Sequence, residues 1–150
     1  MIVVALNKKA LHDYEISHKI DAGIVLRGDE IKSIRKKSVS LDESFAVVQK
    51  GEVSLLNCYI APYSNAFKKT DDCRRSRKLL LHKREISRLI GETSRKGMTL
   101  VPLKLYINDR GYAKIELGIA KHKKLIDKRK LLKERDIARQ TAREIKIRVR

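Results

Sequence analysis

The sequence predicts a mainly β domain with flanking helices: a small antiparallel β-barrel followed by a basic C-terminal tail. Three observations carry that prediction. Several short β-rich runs are separated by turn residues, helical stretches are few with no βαβ alternation, and the last fifth of the chain has no aromatic residue. A body this short buries a core and hides its strand edges best by closing on itself. Apolar residues make up 42% of the 150, enough for one modest core and too many for a disordered basic arm.

The first six residues are apolar, but no charged region precedes them and they are too short for a secretory leader. Residues 14–27 mix alternating and continuous apolar positions, which reads as one long bent strand or two, broken near Gly23. Gly28-Asp29 supplies a break and a helix N-cap, and Ile31 and Ile34, three apart, predict a short helix over 30–36. Residues 44–49 and 53–60 are β-rich and joined by the turn Lys50-Gly51-Glu52, whereas 64–76 is polar and loop-like. Ile86, Leu89 and Ile90 form the apolar stripe of an amphipathic helix over 82–90. Two strands, 99–107 and 112–119, then flank Asn108-Asp109-Arg110-Gly111, where Gly suits a positive φ.

Residues 1–120 thus form the body and 121–150 the tail. If the tail is helical, Leu125, Ile126, Leu131, Leu132, Ile137 and Ala142 scatter around its axis, so little of it should pack on the body. Lys124, Lys128, Arg135, Arg139, Arg143 and Lys146 fall within roughly one third of the circumference at about 100° per residue. A helix so charged repels itself, and disorder is expected until it meets an anion.

Charge names the class of partner. The chain carries 36 Lys and Arg against 18 Asp and Glu, a net +18, and residues 121–150 hold thirteen of those cations with four acids, half of the net charge. Such an excess suits a polyanion, either nucleic acid or an acidic membrane surface. The scattered apolar positions of the tail count against a membrane surface, and no apolar run approaches the roughly 18 residues of a span, so no membrane partner is expected and the compartment is the cytoplasm. Cys58 and Cys73 lack metal-ligand spacing, and no Walker loop, HExxH or nucleophile elbow is present; no cofactor, metal, small-molecule substrate or enzymatic activity is expected. His12-Asp13 with His18 makes a weak acid/base pair, and Asp71-Asp72, in a polar loop, is the one adjacent acidic pair without an obvious structural task that a metal-dependent nuclease could use.

Two blocks could hold RNA. In Asn7-Lys8-Lys9-Ala10 with His12-Asp13-Tyr14, Asn and His offer hydrogen bonds to base or sugar edges, Lys8 and Lys9 neutralise phosphates, and Tyr14 stacks on a base or closes the core. The same residues also read as an ordinary charged helix start. Arg74-Arg75-Ser76-Arg77-Lys78 reads as a solvated loop or as a phosphate clamp of four cations. A ribosomal or tRNA-binding protein of barrel type fits these features too.

Four ordered blocks sharpen the choice: Asn7-Lys8-Lys9-Ala10 with His12-Asp13-Tyr14; Ala22-Gly23-Ile24-Val25-Leu26 with Glu30-Ile31-Lys32-Ser33-Ile34-Arg35; Arg77-Lys78-Leu79-Leu80-Leu81; and Gly118-Ile119-Ala120-Lys121 leading to Asp127-Lys128-Arg129. At these spacings the chain resembles, over nearly its whole length, the SsrA-binding protein (small protein B) family, bacterial partners of transfer-messenger RNA. The resemblance implies a barrel of OB-fold-like type that binds the tRNA-like domain of that RNA. It also implies a tail, disordered in the free protein and helical when bound, that enters the vacant messenger channel of a stalled ribosome near the decoding centre, against small-subunit rRNA. By position, Asn7, Lys8, Lys9, His12, Asp21, Lys32, Arg35, Arg77 and Lys78 match the RNA-contacting blocks of the body; Lys121, Lys123, Lys124, Asp127, Lys128 and Arg129 match those of the tail. This chain departs from the family pattern at Asp21, where Glu is usual, at His122 in place of Gly, and at Ile126 in place of a ring.

Overall fold

The computed structural model describes residues 1–63, 73–123 and 125–149. Along the chain run β1 (Ile2–Leu6), α1 (Lys8–Asp13), β2 (Tyr14–Ile24), α2 (Gly28–Arg35), β3 (Val39–Ser40), β4 (Phe45–Gln49), β5 (Glu52–Leu56), β6 (Tyr59–Ile60), β7 (Arg77–Leu80), α3 (Lys83–Thr93), β8 (Met98–Ile107), β9 (Ala113–His122) and α4 (Leu125–Val149). Six strands close a ring, β8–β4–β5–β7–β2–β9 and back to β8, with every pairing antiparallel. One edge of β8 serves two partners: residues 104–107 take β1, and Leu100 pairs with Ala46 of β4. The register against β9 shifts between Pro102 and Lys104, so the residue without an N–H sits at a bulge, where a missing ladder bond costs least.

Alternation along β9 turns Ala113, Ile115, Leu117 and Ile119 into the barrel, where they meet Val53, Leu55, Leu79, Leu100 and Leu105. The opposite face carries Gly118 and Ala120, and there a second cluster of Ala10, Val101, Leu103 and Ala120, flanked by Tyr14 and Ile16, holds α1 against the wall. Gly118 makes room for it: a Cβ would stand 3.1 Å from Leu103 Cδ1 and 3.2 Å from Ile16 Cγ2.

Four details depart from the sequence reading. Residues 2–6 form an edge strand. β2 is one strand whose irregularity falls between Ile16 and His18, not at Gly23. The run 53–60 divides into β5 and β6 at Asn57, which takes φ +61°. The cap of α2 is Arg27, without a side-chain bond, and Gly28 lies inside the helix, whose first turn gains Asp29 and Glu30 beside its exposed N–H groups. Most of the loop at 64–76, including Asp71-Asp72, lies outside the described residues. The tail is a 25-residue helix, and every side chain from 129 to 146 is exposed, as the scattered apolar positions imply.

Candidate nucleic-acid interface

At one end of β2 stands α1. Lys8 and Lys9 are exposed on its first turn, with Lys9 Nζ 3.8 Å from Glu43, and half-buried His12 places Nδ1 3.0 Å from Asp13 Oδ1. Asn7 behaves differently from the expectation. It is 3% exposed; its Nδ2 donates to the carbonyls of Leu41 (3.3 Å) and Pro102 (2.9 Å), and its Oδ1 accepts the Ala10 amide at 3.0 Å. Both ends of the amide are therefore engaged within the protein. Asn7 caps α1 and ties it to β8, so it positions Lys8, Lys9 and His12 on the outer side of the helix. Beside them a cleft of about 390 Å³ opens between Lys9, Tyr14, Phe45 and Thr99.

At the other end of β2 stands α2, with Lys32, Arg35 and Lys36 exposed. The Lys32 and Lys36 ammoniums lie 5.2 and 4.6 Å from the Tyr63 ring centroid. The four cations of 74–78 do not form the clamp that their spacing permits. Arg77 is 1% exposed: its Nε donates to Glu30 Oε2 at 2.8 Å, and its remaining nitrogens donate to the carbonyls of Cys58 (2.8 Å), Arg75 (3.1 Å) and Cys73 (3.2 Å). Arg75 Nε holds the other Glu30 oxygen at 2.5 Å. Arg74 sits 5.4 Å from the Tyr59 ring, and Lys78, exposed on β7, reaches Glu52 at 2.9 Å. Arg77 is thus an internal cation that fastens α2 to β7, while Lys32, Arg35 and Lys78 keep the outward face.

Along the wall, Asp21 is exposed on β2 opposite Glu116 of β9. Burial, and then a hydrogen bond to Asp21, hold the Tyr106 phenol above its ordinary pKa. A shallow cleft joins Asp21 to Leu80, Leu81 and Lys114. The sequence reading passed over Lys114, although alternation with the inward Ala113 and Ile115 marks it as outward-facing.

The structure separates two groups. Eleven residues of β2 at about 3.3 Å each put α1 and α2 up to about 33 Å apart. With Lys8, Lys9 and His12 belongs Lys121, exposed near the end of β9. Lys123 is half-buried, and Arg129 is exposed on α4. Lys124 and the side chains of Asp127 and Lys128 lie outside the described residues.

A family model described as SmpB protein matches residues 4–147. A protein named SsrA-binding protein from Coprothermobacter proteolyticus is 50% identical over 149 residues, covering 99% of this chain and 99% of its own. Its namesake from Geobacillus kaustophilus is 55% identical over 141 residues, covering 94% and 90%. A chain in the solved structure described as "tmRNA-SmpB: a journey to the center of the bacterial ribosome" superposes with a TM-score of 0.68 at 52% identity, over 80% of this chain and 84% of that one.

Proposed function

The chain belongs to the SmpB family of transfer-messenger RNA-binding, ribosome-associated proteins, and we propose that its barrel takes the tRNA-like domain while its tail enters the vacant messenger channel of a stalled ribosome. The family is RNA-binding and not enzymatic. In this reading the body offers RNA two sets of exposed cations, Lys8, Lys9, His12 and Lys121 at one end and Lys32, Arg35 and Lys78 at the other, with Asp21 as an acceptor between them. The tail, through Lys124, Asp127, Lys128 and Arg129, meets small-subunit rRNA near the decoding centre, and the protein works in the cytoplasm.

One observation carries the division of labour: the body is a closed barrel, whereas α4 exposes every side chain from 129 to 146 and can serve a separate surface. Because β9 runs to His122, the truncation that tests it begins at residue 125 and leaves the strand whole. The shortened chain should bind transfer-messenger RNA within a few-fold of the full chain in filter binding and lose peptide tagging on stalled ribosomes. Equal loss of both activities would make the tail a general electrostatic anchor.

A further inference from the structure

Past its last strand pair, Tyr14 with His122, the chain stays fastened to the barrel for one more residue. The Lys123 amide donates to the Asp13 carbonyl at 2.9 Å, and the Lys123 ammonium turns back to the Leu11 carbonyl at 3.5 Å. Beside it the His122 ring stands edge-on to Tyr14, with centroids 5.0 Å apart and planes at 70°, and His122 Nδ1 lies 3.1 Å from the Lys123 carbonyl. In the last turn of α1 the cap amide of Tyr14 serves the Ala10 carbonyl, and the carbonyls of Leu11 and Asp13 look beyond the helix for donors. Lys123 supplies one to each. At its other end α1 is locked by Asn7 to Leu41 and Pro102. The root of the tail is therefore held by a short helix that is itself held at both ends.

We propose that Lys123 is a positioning residue that sets the direction in which the tail leaves the barrel, and not a phosphate contact. Its ammonium faces the protein where those of Lys8, Lys9 and Lys121 face out. RNA gripping the outer side of α1 is thereby coupled to the departure point of the tail through two main-chain carbonyls. The consequence for tagging rests on the proposed function; the latch itself does not.

The test uses the full chain with Lys123→Met, which keeps the stem and drops the ammonium, and Lys123→Arg, which restores a cation. A spin label on Lys130→Cys in a Cys73→Ser background reports which barrel amides relax faster; buried Cys58 stays unlabelled. The parent should show relaxation confined to amides around α1 and the start of β8. Lys123→Met should spread it over a wider set, and Lys123→Arg should restore the parent pattern. In filter binding the salt slope of Lys123→Met should equal that of the parent, while tagging falls several-fold. An unchanged relaxation pattern overturns the latch. So does a salt slope lower by about 0.7–0.9, the signature of one lost phosphate contact. Should the parent fail to bind transfer-messenger RNA, the relaxation experiment still decides the latch by itself.

Discussion

Glu30→Gln is the perturbation that most directly separates architecture from RNA contact. The Glu30 side chain is 13% exposed and accepts from Arg75 and Arg77, the latter 1% exposed. Gln keeps the size but removes the counter-charge, leaving the Arg77 guanidinium on three carbonyls in the interior. Breaking a buried pair from one side costs about 3–5 kcal/mol. The remaining carbonyls and the partial exposure of Arg75 favour the lower end. With a urea m-value of about 1–3 kcal/mol per molar for a small domain, about 3 kcal/mol moves the midpoint down by about 1–3 M. Arg75→Met, which leaves Arg77 on Glu30, should cost well under half as much. Equilibrium urea unfolding followed by circular dichroism reads both. A midpoint for Glu30→Gln within about 0.3 M of the parent, a shift far below what this m-value range allows, refutes the reasoning. If RNA affinity rises at the same time, Arg77 is a phosphate contact that Glu30 holds back.

Two further outcomes follow from the geometry. Arg35→Ala should weaken transfer-messenger RNA binding and lower the log–log salt slope by about 0.9, one phosphate contact on duplex; an unchanged slope in filter binding removes Arg35 from the interface. Burial pushes the Cys58 thiol up to about 11 from its ordinary 9.0, against the opposing pull of Arg77. A folded-state pKa above the unfolded one gives stability that is complete below pH 9 and lost as pH climbs toward 11, on the order of 2–3 kcal/mol for two pH units. Urea midpoints at pH 8 and 10.5 should therefore fall further apart in the parent than in Cys58→Ala, and an equal fall in the two proteins contradicts the assignment.

The turns were legible because they demand particular backbone. Gly51 at φ +72° and Gly111 at φ +84° occupy conformations that favour Gly, and each hairpin is where its Gly lies. The helix over 82–90 was legible from its stripe and continues only three residues further. Closure itself was legible from the shortness of the body, but the partners that achieve it were not, because β2 on β7, β2 on β9 and β8 on β4 join residues tens of positions apart and no local period encodes a partner. Among the site residues, the ones the structure places away from the surface are the buried polar ones. Residue type shows that Asn7 and Arg77 can bond RNA, and nothing in the type shows that the bonds are already made. For Arg77 a signal existed: in a strand it shares a face with Leu79, and that face is the inner one. The run Leu79-Leu80-Leu81 hides which parity faces in, since its middle member is the exposed one.

That correction alters what the net charge means. Within the body, Arg75 and Arg77 are committed to Glu30 and to main-chain carbonyls. Under the proposed function, the cations available to RNA sit on short helices and strand ends at the two ends of a closed barrel, so the fold fixes their spacing. A rigid spacing rewards one RNA shape and penalises others. The tail obeys different physics. Its apolar residues make no single face, so no packing against the body opposes the repulsion among its cations, and only anions can relieve it. Under the proposed function its affinity for rRNA then comes from counterion release, which depends on phosphate density more than on shape. A surface chosen by geometry and one chosen by charge density can therefore occupy a single chain without competing for the same RNA, provided that the joint between them keeps the tail off the barrel's own binding face.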